Sequence, residues 1–304
     1  MRQRVLILGV TGMLGHTLLR ELSGAEELDV HGTARDAGRA RAMFPAHLAD
    51  RIVPGVDVTA PGAVRPILAL LRPAVVVNCV GVIKQRPEVA DPSTTIAVNA
   101  LFPHLLAGEC ARQGARLIQV GTDCVFSGSR GGYAETDVPD PEDLYGRAKL
   151  LGETTTGPAL TLRTSIIGHE VGSARSLVDW FLSQRGTVNG FTGAVYSGVT
   201  TVEFAALLRT VVLPRPDLSG LWHVAADPIT KYDLLRLVAE VYGWPGRIEP
   251  SDALRCDRSL SAAALRARTG YRPPAWPTMI ERLHRAARDW GLPVTRPAAV
   301  PGRS

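Results

Sequence analysis

The chain reads as an α/β protein, a Rossmann-type doubly wound parallel sheet followed by a smaller mixed C-terminal substrate-binding lid. Three observations lead there. A short apolar strand, Val5 to Leu8, runs straight into a glycine-rich turn. Apolar runs suited to buried strands then alternate with helical periodicity as far as Arg163, the pattern that builds a parallel sheet through right-handed crossovers. Third, a tyrosine and a lysine share one helix face in the segment from Asp143 to Glu153.

The turn is Gly9-Val10-Thr11-Gly12-Met13-Leu14-Gly15, with a helix expected over 16–22. Its G-x-x-G-x-x-G spacing is a variant of the dinucleotide fingerprint, in which glycines let the backbone approach a pyrophosphate at a helix N-terminus. Thr11, Met13 and Leu14 complete the candidate cofactor turn. A second strand, Leu28 to Thr33, leads to Ala34-Arg35. An acidic residue near the end of this strand selects NAD through the ribose 2′-hydroxyl, whereas an arginine suits a 2′-phosphate. Thr33 stands at the acidic position and Arg35 follows, so NADPH is the expected cofactor, with NADH as the alternative.

A third strand is expected to end near Asp57-Val58, followed by a helix over 63–71 and a strand from Ala74 to Cys79 that leads into Val80-Gly81. Ligands of open parallel sheets lie at the carboxyl ends of the strands. Asp57, Val58, Asn78, Cys79, Val80 and Gly81 are therefore further cofactor candidates. A long helix over 94–113 carries Asn99 early and is expected to bend at Pro103. The strand Arg116 to Val120 ends in Gly121-Thr122-Asp123-Cys124, where the Thr122 hydroxyl could meet a substrate carbonyl or simply close a turn.

Tyr145 and Lys149 are an i, i+4 pair, which places both on one face of a helix. A phenol titrates near pH 10 and is a poor acid near neutrality. A cation about 4 Å away at an effective dielectric near 20 is worth roughly 4 kcal/mol, enough to lower that pKa by about three units. Lys149 is thus expected to turn Tyr145 into a general acid.

Composition narrows the setting. The 304 residues are 45% hydrophobic and 21% charged, with a net charge of +5, which suits one large domain or a large one with an annex. Lys and Arg are scattered, favouring an anionic small ligand over a nucleic-acid track. Cys79, Cys110, Cys124 and Cys256 are widely separated with no C-x-x-C, so neither a disulfide framework nor a metal site is expected, and a reducing cytoplasm fits. No apolar run approaches the ~18 residues that span a bilayer. The expected division is a dinucleotide-binding domain over 1–164 that also receives a strand near 220–225, a lid over 165–292 and a loose tail over 293–304. Within the lid, helices are expected over 177–184, 201–213, 232–242 and 278–290, and a polar turn over 190–193.

Taken together, GVTGMLG at Gly9, NCVG at Asn78, VNA at Val98, GTDCVF at Gly121, YGRAK at Tyr145 and RTS at Arg163 resemble the extended short-chain dehydrogenase/reductase family. Thr122 to Gly128, Tyr133-x-Glu135-x-Asp137 and Leu150-Leu151-Gly152-Glu153 look most like its dTDP-4-dehydrorhamnose reductase branch. That resemblance implies Thr122, Tyr145 and Lys149 as the catalytic set, Gly9, Gly12 and Gly15 as the cofactor turn, Asp57 near the adenine, Asn99 in support and Lys149 on the nicotinamide ribose. It implies a nucleotide-diphosphate-linked 4-keto sugar as substrate, with Arg175, Arg185 and Lys231 as candidates for its diphosphate, and is compatible with a homodimer. The chain departs from the branch at Cys124, where Tyr is usual, and at Gly198-Val199-Thr200-Thr201, where Gly-x-Pro-Thr is expected. A nucleotide-sugar epimerase and a non-catalytic cofactor-binding regulatory subunit remain alternatives.

Overall fold

A computed structural model of the chain describes residues 2–83 and 91–294. The N-terminal region runs β1 (Gln3–Leu8), α1 (Met13–Ser23), β2 (Leu28–Thr33), α2 (Ala37–Met43), α3 (Ala46–Ala49), β3 (Ile52–Val53), α4 (Arg65–Leu71), β4 (Val75–Asn78), α5 (Pro92–Ile96), α6 (Phe102–Gln113), β5 (Arg116–Val120), α7 (Leu144–Leu151) and β6 (Leu160–Arg163). The remainder runs β7 (Ile166–Ile167), α8 (Leu177–Ser183), β8 (Thr187–Tyr196), β9 (Val199–Thr200), α9 (Thr201–Leu207), β10 (Gly220–His223), β11 (Ile229–Thr230), α10 (Lys231–Tyr242), β12 (Arg247–Asp257), α11 (Ala263–Thr269) and α12 (Trp276–Asp289).

Seven strands form one sheet in the order β10-β6-β5-β4-β1-β2-β3, with every pair parallel. The order reverses between β1 and β4, and a doubly wound sheet opens its ligand crevice at such a point. Side chains alternate across the sheet, so each face has its own core. Leu6, Leu8, Val76 and Leu117 pack with Ile67, Leu68, Phe102 and Leu106 on one side. Val5, Ile7, Val77 and Ile118 pack with Leu18, Leu19, Phe204 and Leu283 on the other.

The second sheet has the order β11-β8-β12, mixing antiparallel and parallel pairs. The chain over 190–193, expected as a polar turn, lies inside β8. Its glycines mark close approach instead of reversal: a Cβ on Gly190 would stand 2.7 Å from the Tyr232 ring, and one on Gly193 would stand 2.9 Å from Arg255 Cγ. The strand expected to end at Asp57 stops at Val53, because Pro54 offers no N–H and Gly55 has φ +77°. Asp57 instead holds a turn, accepting from Thr59 N at 3.0 Å and Thr59 Oγ1 at 2.8 Å. The helix expected over 94–113 begins at Pro92 and widens into a π-turn over Ala97–Leu101 immediately before Pro103, which accommodates the missing N–H. Of the tail expected over 293–304, residues 295–304 lie outside the described residues.

The glycine-turn helix is tied directly to the C-terminal region. His16 Nε2 lies 2.7 Å from the His169 carbonyl, and Thr17 Oγ1 donates to Thr201 Oγ1 at 3.1 Å. His169 in turn meets Asp179 at 2.6 Å and the Tyr242 hydroxyl at 2.8 Å. Burial pushes the His16 pKa down to about 4, so this contact is made by a neutral imidazole. No helix among the described residues is long and apolar enough to cross a membrane.

Candidate active site

The β1–α1 turn is shaped for close backbone approach. Gly9 has φ +81°, and its N–H meets Thr33 Oγ1 at 3.3 Å. Thr33, which the sequence places at the ribose-binding position, is therefore a buried brace for the glycine turn. Gly12 N donates to Gly9 O at 3.1 Å and caps α1 without a side-chain hydrogen bond. Thr11 and Met13 are half-buried in the same turn and Leu14 is buried in the core, while the uncapped N–H groups and dipole at the start of α1 favour an anion. Gly15 is required by packing: its Cβ would stand 2.2 Å from Gly9 O. A dinucleotide pyrophosphate fits this cradle.

Two further groups flank it. Asp36 caps α2, accepting from Arg39 N at 2.9 Å, whereas Arg35 is exposed and lowers the pKa of Asp57 after the Thr59 hydrogen bonds. At the sheet reversal, Val80 packs against Gly9, and a Cβ on that glycine would stand 2.9 Å from Val80 Cγ2. Asn99 clamps the chain after β4: its Nδ2 donates to Val82 O at 2.8 Å and its Oδ1 accepts from Val82 N at 2.9 Å. It thereby fixes Gly81 from within the π-turn. Val58 is half-buried at the outer edge.

The third group sits at the carboxyl end of β5. Thr122 is buried and extended, with φ −148°. Its Oγ1 accepts from Cys124 N at 3.2 Å and approaches Asp123 Oδ1 at 3.3 Å. These contacts are the turn-closing role expected of this threonine. Asp143 caps α7, accepting from Gly146 N at 2.8 Å, and the helix delivers Tyr145 to Thr122, with which it hydrogen-bonds. Lys149 is buried on the same helix, and its Nζ donates to the Val120 carbonyl at 2.7 Å.

Electrostatics here differ from the sequence expectation. The Tyr145 phenol is pushed upward, first by burial and then by the negative charges of Cys124, Asp123 and Asp143 when ionised, while the Thr122 hydrogen bond pulls it down. The Lys149 ammonium gives one of its three N–H donors to a backbone carbonyl, and burial lowers its pKa to about 8 against the opposing pull of Glu153 and Cys79. Tyr145 is accordingly held as a neutral donor. Burial also raises the Cys79 thiol to about 12, which makes it inert lining.

The diphosphate candidates are less engaged. Arg175 and Arg185 are exposed, and Lys231 opens α10 half-buried. Sequence reasoning missed Ser165, which hydrogen-bonds to the Asp123 carboxyl, and Arg258 and Tyr196, which couple to its charge, all from beyond the regular alternation. Asp123 itself was visible as the neighbour of Thr122. Arg258 and Tyr196 lie on or beside β12 and β8, long strands whose polar and glycine-rich sequences hide them.

Glycine turn, sheet reversal and Tyr-Lys helix together define an α/β dinucleotide-binding protein of the extended short-chain dehydrogenase/reductase type. A family model described as the RmlD substrate binding domain matches residues 3–288, and the chain belongs to that family. It is 31% identical over 261 residues to dTDP-4-keto-6-deoxy-D-glucose reductase from Streptomyces niveus, covering 82% of this chain and 83% of that one. It is 27% identical to the bovine (Bos taurus) methionine adenosyltransferase 2 subunit beta, covering 92% and 89%. Among solved structures, dTDP-4-dehydrorhamnose reductase from Bacillus anthracis in complex with NADP superposes with a TM-score of 0.76 over 94% of this chain and 100% of that one. At 21% identity, that likeness is one of fold.

Proposed function

We propose that the chain is an NAD(P)H-dependent reductase of a nucleotide-linked 4-keto-6-deoxy sugar, acting in deoxysugar or polysaccharide biosynthesis. The observation that carries this is the hydrogen-bonded Tyr145–Thr122 hydroxyl pair at the carboxyl end of β5, beside buried Lys149. NADPH, held by the Gly9–Gly15 turn, with Arg35 at its 2′-phosphate and Asp57 at its adenine end, would supply the hydride.

The residues divide the remaining work. Tyr145, kept protonated by burial, gives its proton to the developing alkoxide at C4. Thr122 donates to the carbonyl oxygen and so stabilises the charge that accumulates there. Lys149, charged below a pKa of about 8, stabilises the phenolate left by Tyr145 and binds the nicotinamide ribose. Arg175, Arg185 and Lys231 are the basic groups available for the substrate diphosphate. The similarity to the Streptomyces niveus reductase supports a dTDP carrier. None of the four cysteines is in a disulfide, which supports a cytoplasmic setting, and a homodimer completes this reading.

The test is to incubate the protein and NADPH with a panel of nucleotide-linked 4-keto sugars and follow loss of the reduced-nicotinamide absorbance. Turnover that Tyr145→Phe lowers by at least about 100-fold, the scale of a lost general acid, without a change in NADPH affinity is the expected result. Undiminished turnover in Tyr145→Phe would overturn the assignment. Sugar epimerisation without net NADPH loss would move the chain to the epimerases. The bovine subunit match favours a second reading, a regulatory binding subunit, and NADPH binding without turnover on any sugar would select it.

A further inference from the structure

One carboxyl group at the site takes no part in the scheme above. Asp123 is half-buried at the end of β5, and side chains from five places in the fold bear on it. From its own turn, Thr122 Oγ1 donates to its Oδ1 at 3.3 Å, and the Cys124 thiol hydrogen-bonds to it. Beyond β6, the Ser165 hydroxyl does the same. The end of β12 brings Arg258, whose Nε is anchored on the Phe126 carbonyl at 2.8 Å and whose other side faces Glu142 at 3.7 Å. Tyr145 on α7 and buried Tyr196 on β8 both sense its charge. Burial raises the Asp123 pKa, and the hydrogen bonds and Arg258 oppose that rise.

Thr122 has a single hydroxyl proton. An ionised Asp123 accepts it, which leaves Thr122 able only to accept from its other neighbours. A neutral Asp123 can present its own O–H to Thr122, so that the Thr122 proton turns toward the substrate oxygen. We infer that Asp123 is a positioning residue whose protonation state sets the direction of the Thr122 hydroxyl: the neutral carboxyl aims that proton at the substrate carbonyl and the carboxylate withdraws it. This rests on the reductase reading. Asp123 exchanges one proton with solvent in the switch, while the Thr122 proton stays on its own oxygen and only the hydroxyl rotates.

The sign follows from the chemistry. Asp123 is neutral below its pKa, so kcat/KM is full there and falls as pH rises through it. It then levels off on the order of 100-fold lower, the cost of one lost oxyanion donor. Arg258 favours the carboxylate, so removing its charge moves the fall to higher pH.

The experiment is kcat/KM against pH for the wild type, Asp123→Asn, Arg258→Gln and Thr122→Val. Asp123→Asn should lose this limb while keeping the separate one set by Lys149, Arg258→Gln should carry it to higher pH, and Thr122→Val should sit at the lower plateau throughout. An unchanged limb in Asp123→Asn or Arg258→Gln overturns the inference and leaves the reductase reading standing. A second arm needs neither substrate nor a folded Asp123 variant: the Asp123 carboxyl carbon is titrated by NMR in the wild type and in Thr122→Val. Loss of the threonine donor should raise its midpoint, and an unchanged midpoint overturns the coupling whatever the protein turns over.

Discussion

Gly146 rests so closely on the Cys124 carbonyl that a Cβ in its place would stand 2.3 Å from that oxygen. The glycine between Tyr145 and Lys149 thus sets the distance from α7 to the Thr122 turn, and the contact explains how a phenol on a helix meets a hydroxyl at a strand end.

Gly146→Ala tests this directly. The methyl group must push α7 away from a backbone atom, and overpacking of this kind costs about 1–3 kcal/mol. Urea unfolding should show that loss, and kcat should fall in a protein that still binds NADPH, because the displaced hydroxyls lose their geometry. Unchanged kcat would mean that the helix position is not what aligns them.

The cofactor turn predicts two opposite phenotypes from the same substitution. Gly15→Ala collides with Gly9 O, whereas a Cβ on Gly12 meets nothing nearer than Gly9 O at 3.5 Å. Gly15→Ala should lower the melting temperature and abolish cofactor binding together. Gly12→Ala should melt like the wild type yet bind NADPH weakly, since its methyl would fill the face proposed for the phosphates. Nicotinamide fluorescence beside a thermal melt separates the two.

The proposed function gives Arg35 the choice of cofactor. On that proposal its replacement by Ala would remove a charge-assisted phosphate contact worth about 1.5–3 kcal/mol, so the Kd for NADPH should rise about 10-fold or more while that for NADH barely moves. Equal loss for both cofactors would place Arg35 elsewhere.

Glu153 links stability to the pH profile. Its carboxylate makes a paired contact with Arg163, at 2.7 Å to Nε and 2.8 Å to Nη2, with Arg163 buried and the Glu153 side chain 9% exposed. Breaking such a pair by Glu153→Gln should cost about 3–5 kcal/mol. The same carboxylate holds the Lys149 pKa up against burial. Lys149 is charged below about 8, so wild-type kcat/KM should decline above that pH, and in Glu153→Gln the decline should begin at lower pH. An unmoved profile would detach Lys149 from catalysis.

How much of this the sequence carries depends on how local the cause is. The turn from Gly9 to Gly15, the strands β1, β4 and β5 and the Tyr145 helix are fixed by short-range patterns, and the structure has them within a residue or three of where they were expected. The failures have a common origin. β3 is cut short by Pro54-Gly55, and β8 reads as a turn because its glycines yield to Tyr232 and Arg255, which are remote in sequence. The exposed pattern of β12 has little apolar alternation to reveal a strand. The sign of the Tyr145 shift also required three dimensions, since the charge that was expected to lower it is turned toward Val120 O.

The outermost place beside β6 is filled by β10, and the two run parallel from Gly220 opposite Leu160 to His223 opposite Arg163. Because β10 lies some sixty residues later in the chain than β6, a nascent or proteolysed fragment ending before Gly220 would carry β6 with its hydrogen-bonding groups uncovered, a template for joining other chains. Covering β6 therefore waits on a segment made long after Tyr145 and Lys149, and truncations inside that gap should aggregate where the whole chain stays dispersed.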